Sequence, residues 1–346
     1  MHEMRRRTIK TLFPQGIPKL FCPTITHYGS SAMSFDEVRT RKHYVFLSKY
    51  VGGCLVPGST GDGWIMNNNQ IMDILLLQCQ NVQKYGGILL AGILKPETRQ
   101  MLSEIDLLVN MVKRHTDRND LVGFMQLGIG GITVCAPTGG NYTQYEIERA
   151  LAAILSRGLP TAIYQLPQVT HNEIAPKVLG NLAQHYPNFF LFKDTSGEDR
   201  VARSGIDLNG VILVRGAEGD FAQWYKGLGG AYDGFLVSTA NVFAPEISEI
   251  MRLADAGEKE IARNLSQKLS GLIYDLFKLF SCIKQTNVFA SANKALDHLN
   301  AYGNEWRKYK LPLNSDGSAI SIHIIEEVEK RVKNVFPNHE YSYMLE

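Results

Sequence analysis

Eight short apolar runs, each followed by a longer amphipathic stretch, narrow the folds open to this chain of 346 residues more than any other feature. The runs cover 19–26, 51–57, 87–91, 130–136, 161–166, 189–193, 211–215 and 231–237. They are rich in Val, Ile, Leu and Phe, and most end in Gly, Pro, Ser or Thr, as buried strands do. Apolar residues at helical spacing fill the intervals over 69–85, 98–114, 143–157, 172–185 and 221–228, with a short stretch over 198–204. Ser34 and Glu37 stand at capping-box spacing and predict a helix start in the first interval. Alternation of this kind predicts an α/β protein with a parallel sheet. The eightfold count favours a closed (β/α)8 TIM barrel over an open doubly wound sheet. The first run leads into Thr26-His27-Tyr28-Gly29-Ser30, without the G-x-G-x-x-G of a dinucleotide-binding turn.

Beyond the eighth run the pattern becomes purely helical, over 245–256, 259–280, 286–302 and 321–335, with Gly257 and Gly303 as punctuation. The expected organisation is an N-terminal tail over 1–17, a barrel over 18–257 and a C-terminal helical extension over 258–346. Leu265, Leu269, Leu272, Ile273, Leu276 and Leu279 fall on one helix face, which suits core or subunit contact. The charge balance, 36 Lys+Arg against 34 Asp+Glu, lacks the basic surplus of a nucleic-acid partner. The longest apolar run, 86–94, is far shorter than the ~20 residues of a membrane-spanning helix. Five scattered cysteines without a C-x-x-C pair support neither a zinc site nor a disulfide framework. They fit a reducing, cytoplasmic setting. The basic N-terminus, MHEMRRRTIK, reads as a frayed tail.

A barrel of this type carries its site at the C-terminal ends of the strands. There Phe189-Phe190-Leu191-Phe192 runs directly into Lys193-Asp194-Thr195-Ser196-Gly197. An ammonium in apolar surroundings is costly, so its pKa falls and the amine becomes available as a nucleophile toward a carbonyl. The same lysine could instead snorkel to solvent or pair with Asp194. Tyr164 ends the preceding run, and neighbouring parallel strands lie about 4.8 Å apart, close enough for the phenol and the amine to meet. A phenol there can move protons to and from an imine intermediate. In Pro57-Gly58-Ser59-Thr60-Gly61-Asp62-Gly63, backbone amides and hydroxyls can hold a carboxylate, although such turns are common. Carboxylate binding beside a carbonyl-reactive lysine describes a site for a 2-oxo acid.

At these residues the chain resembles the dihydrodipicolinate synthase/N-acetylneuraminate lyase family of pyruvate-dependent class I aldolases. Gly58-Ser59-Thr60-Gly61-Asp62 is similar to the family's G-[ST]-T-G-E loop, Tyr164-Gln165-Leu166-Pro167 to Y-N-x-P, and Lys193-Asp194-Thr195-Ser196-Gly197 to K-[DE]-x-[ST]-G. Residues 234–242 resemble the family's eighth strand. The resemblance, in order and spacing, covers roughly 18–300. It implies a (β/α)8 barrel with a helical extension, assembled as a homotetramer or dimer, with no cofactor and no metal. It further implies Lys193 as the imine-forming residue and Tyr164 as the proton-transfer phenol. Ser59, Thr60 and Gly61 would form the carboxylate site, Leu236 would offer a carbonyl to the bound pyruvate unit, and Glu218 and Ser238 would meet substrate hydroxyls.

The departures shape the functional expectation. Asp62 replaces Glu and Gln165 replaces Asn. Val169 occupies the place where the synthase branch carries an arginine for a second carboxylate, which argues against dihydrodipicolinate synthesis. The fourth-strand end lacks the family's relay tyrosine, for which Tyr142 is a displaced candidate. His27, at the mouth end of the first run, receives no role. The expected activity is carbon–carbon bond cleavage or formation with pyruvate on a 2-oxo sugar acid. Two alternatives stay open: dehydration of a deoxy-keto sugar acid through the same imine, and a non-catalytic barrel binding a small oxo acid.

Overall fold

Strands β1 (Leu20–Pro23), β2 (Gly53–Val56), β3 (Ile88–Ile93), β4 (Ile129–Cys135), β5 (Thr161–Gln165), β6 (Phe189–Asp194), β7 (Ile212–Arg215) and β8 (Gly234–Leu236) pair in sequence order. All are parallel, and β8 returns to β1 to close a barrel. The computed structural model describes residues 2–31, 34–283 and 287–346. Both faces of each strand are buried, which is why the runs are apolar throughout instead of alternating. One face points inward: Phe21, Leu55, Leu90, Leu191, Val214 and Leu236 fill the barrel interior. The other packs outward, as Cys22, Cys54, Leu89, Ile163 and Phe192 do against the helices. Several strands are shorter than the runs that announce them, because the last residues of those runs leave the sheet to form the loops of the mouth.

The N-terminus departs from expectation. Residues His2–Leu12 form a helix instead of a frayed tail. Its Arg5 side chain is fully buried and donates to the carbonyls of Phe189 (2.6 Å), Tyr186 (3.0 Å), Ala183 and Asn209. Ile9, Leu12 and the following Phe13 join the interior cluster and close the barrel from below, with Phe13 edge-on to Phe21 at 6.1 Å. Charge alone hid this, since the guanidinium is satisfied by carbonyls distant in sequence.

Other differences are local. The helix Glu37–Leu47 is capped by Asp36, whose side chain accepts from the Arg39 amide, and not by Ser34. Leu121–Gln126 is a helix the sequence reading lacked. The stretch over 172–185 begins at Pro176, after a turn at Pro167–Thr170. Helix Ala240–Asp255 starts earlier than Pro245 and kinks at Phe243, because proline removes a backbone donor. The C-terminal part consists of Lys259–Ser281, Val288–Tyr302 and Ile322–Val335. The start expected at Thr286 lies outside the described residues. Leu269, Leu272, Ile273 and Leu276 are buried, so that stripe is core. Val288–Tyr302 is buried on nearly every face, between the barrel and the other two helices. Among the described residues no helix is long and apolar enough to cross a membrane.

Candidate active site

Side chains alternate along a strand, so residues two apart share a face. Ala162 and Leu191 fill the barrel interior, and two residues further on Tyr164 and Lys193 continue the same files into the mouth. They are register partners on β5 and β6. Lys193 Nζ lies 3.9 Å from the centre of the Tyr164 ring. Lys193 is only 3% exposed, and among the described residues no carboxylate forms an ion pair with it. Burial lowers its pKa to about 7, so much of the amine is uncharged near neutral pH. Burial also raises the Tyr164 phenol far above its usual value, keeping it a proton donor. Asp194 points away from this face. It accepts from the Ser196 amide (3.0 Å) and hydroxyl (2.7 Å), which removes pairing with Asp194 as an account of Lys193. Room for the lysine depends on Gly216, where an added Cβ would fall on the Thr195 hydroxyl and 2.7 Å from Lys193 Cε.

A cavity of about 790 Å³ opens above this pair. Ser59 and Thr60 line it, and among the described residues their backbone amides have no hydrogen-bond acceptor. A carboxylate suits that pair of donors. Gly61 is not part of the lining. Its amide donates to Gly58 (3.1 Å) and its carbonyl accepts from Thr26 (2.7 Å), so it holds the turn together. Leu236 is likewise absent from the lining and sits in the interior cluster beneath. Glu218 and Ser238 do line the cavity but engage each other: the Ser238 amide and hydroxyl both donate to the carboxylate at 2.6 Å, and Thr239 donates as well. Tyr142 is 39% exposed and does not reach the cavity of its own chain.

Sequence reasoning missed the contribution of the helix Val288–Tyr302 and its cap. Asn287 donates to the Ser59 carbonyl (2.9 Å) and Asn293 to the Ser238 hydroxyl (3.1 Å). Lys294, 2% exposed, forms a 2.9 Å ion pair with Asp62, which also accepts from the Tyr28 hydroxyl. Asp62 lies at φ 62°, a left-handed backbone that Asp tolerates better than most residues. One helix thus fixes the carboxylate loop and the end of β8 together. No local signal marked it: Asn293, Lys294, Asp297, His298 and Asn300 fall within about half the circumference of the helix, as the polar residues of a solvated face do.

His27, His43 and Asp297 could together approach a metal ion. The cluster is already filled. Asp297 accepts from Arg39 (2.8 Å) and Tyr343 (2.7 Å), and His43 Nε2 donates to the Asn241 carbonyl at 2.9 Å. His27 is held neutral by burial and lines a different, smaller cavity.

The chemistry available is therefore an uncharged amine, a phenol and a carboxylate cradle around one cavity. Residues 123–295 match the sequence model of the dihydrodipicolinate synthetase family, half of the chain. Over 158 residues the chain is 34% identical to a 4-hydroxy-tetrahydrodipicolinate synthase of Buchnera aphidicola subsp. Cinara cedri, a match covering 44% of this chain and 50% of that one. It is 26% identical over 153 residues to the enzyme of the same name from Methanospirillum hungatei, covering 44% and 52%. The matched part thus spans about half the length of those relatives. By structure, YagE, a prophage protein of the dihydrodipicolinic acid synthase family from E. coli K12 in complex with pyruvate, superposes with a TM-score of 0.72 at 18% identity, covering 92% of this chain and 98% of that one. At that identity the likeness speaks for the fold alone.

Proposed function

The chain belongs to the dihydrodipicolinate synthetase family, and from that membership we propose that it is a pyruvate-dependent lyase working through an imine on Lys193. The observation that carries the reading is a lysine buried at the floor of the cavity, with no ion-pair partner among the described residues, its amine against the ring of a protonated phenol. The oxo acid's carboxylate sits on the free amides of Ser59 and Thr60. Lys193 Nζ attacks the neighbouring carbonyl carbon, and loss of water leaves the imine. Tyr164 passes the protons that this exchange and the carbon–carbon step require.

Two relatives carry the name of the synthase, yet Val169 offers no charge to a second carboxylate, so that particular reaction stands outside the reading. The sugar-acid version leans on Glu218 and Ser238, whose mutual hydrogen bonds leave it little support. Dehydration through the same imine is told apart by the absence of pyruvate among the products. Assembly as a homotetramer or dimer, measurable by light scattering, and a cytoplasmic location complete the proposal.

Borohydride reduction in the presence of pyruvate, followed by peptide mass spectrometry, tests the imine. A stable adduct on Lys193 is expected. No adduct in folded protein, across several 2-oxo acids, would instead make this a barrel that binds without reacting.

A further inference from the structure

We propose that the second substrate of this site is a neutral aldehyde with an apolar body, an aryl aldehyde being the simplest member; this rests on the imine reading above. The wall beside the Tyr164 phenol carries the argument. Leu94, Cys135, Tyr164 and Leu166 form a small buried cluster separate from the main core, with Trp64 and Val169 packed against it. Trp64, Leu166 and Val169 face the cavity, and Ile65, Val288 and Phe289 extend the apolar lining toward its rim. Ile65 and Phe289 are 65% and 43% exposed, so apolar surface is offered at the entrance as well as inside.

Charge points the same way. Among the described residues lining the cavity, Lys193 is the only Lys or Arg, whereas Asp62, Glu218 and Asp316 are acidic. Lys294 neutralises Asp62 from behind. An aldehyde bearing its own carboxylate would lose solvation there and meet no cation. A polyhydroxylated one would meet polar side chains that are mostly engaged already, Glu218 with Ser238, Ser196 with Asp194 and Gln168 with the Thr195 carbonyl. The buried Thr195 hydroxyl is left without a partner among the described residues. Trp64 Nε1, buried without a hydrogen-bond partner among the described residues, can serve a single oxygen on an otherwise apolar body.

The reaction balances with these parts. The Tyr164 phenol gives its proton to the hydroxide that leaves the carbinolamine, and the resulting phenolate takes a methyl proton from the Lys193-bound pyruvate iminium, leaving an enamine. The enamine carbon bonds to the aldehyde carbon, the carbonyl electron pair moves to oxygen, and Tyr164 returns the proton there. Water then adds to the imine, freeing a 4-hydroxy-2-oxo acid and the amine. Cleavage is the same sequence reversed.

The test compares kcat/KM for benzaldehyde, glyceraldehyde and succinic semialdehyde with pyruvate, after borohydride trapping has established whether the imine forms. Benzaldehyde is expected to lead both polar aldehydes, by roughly tenfold. Val169→Arg is expected to lower the benzaldehyde value and raise that for succinic semialdehyde, each by roughly tenfold. A trapped imine with either polar aldehyde equal to or better than benzaldehyde, or with no product from benzaldehyde, overturns the aldehyde class and leaves the imine intact. Failure to trap the imine removes both.

Discussion

Two lysines in this molecule are buried almost equally, Lys193 at 3% exposure and Lys294 at 2%, and they do opposite things. Both have pKa values lowered by burial. Lys294 meets the Asp62 carboxylate at 2.9 Å and ties the carboxylate loop to the C-terminal helix. Lys193 meets an aromatic ring, and its amine stays largely uncharged near neutral pH. Depth of burial is therefore a poor guide to role. The partner decides: with a carboxylate a buried ammonium fastens two elements, and without one the desolvation cost is retained as reactivity.

Lys193→Met tests the contrast most severely. Turnover should vanish in a pyruvate-release assay while the protein becomes more stable. Its folded pKa, about 7, lies below the ordinary 10.5, so the native state binds fewer protons than the unfolded chain between those values. The wild-type penalty is thus full below pH 7 and gone above 10.5. Thermal unfolding should show a gain of up to about 5 kcal/mol near pH 6 that fades by pH 10.5. A destabilised Lys193→Met at pH 6 would mean the lysine is paired after all.

Asp62→Asn approaches the comparison from the other side. It leaves Lys294 buried and unpaired, at an expected cost of about 3–5 kcal/mol in chemical denaturation. Adding Lys294→Met should recover most of that loss, whereas additive damage in the double variant would deny the pairing. The smallest expected effect is at Gly216→Ala, where crowding of Lys193 and Thr195 should cost about 1–3 kcal/mol. It should also slow imine formation; unchanged trapping kinetics would show that the lysine has room to spare.

Much of the barrel was legible because each strand is buried on both faces and announces itself as an unbroken apolar run. Tyr164 and Lys193 were legible for the same reason, as polar residues ending such runs on neighbouring strands. The place of Gly61 was harder to read, since a glycine amide that binds substrate and one that closes its own turn look alike in sequence. Lys294 was invisible for a different reason: its partner is 232 positions away, and nothing local distinguishes it from a solvated helix lysine. The Arg5 helix escaped notice likewise, its carbonyl acceptors belonging to segments after Leu182.

That last separation has a bearing on time. The carbonyl of Phe189 that receives Arg5 is synthesised 184 residues after it. At ~5–20 residues per second on the ribosome, the wait is roughly 10–40 s. Through that interval Ile9 and Leu12 lack the later strands they pack against, while β1 likewise awaits β8. The order of synthesis is therefore not the order of assembly. The piece that seals the barrel from below has to be held in reserve until six strands exist for it to close.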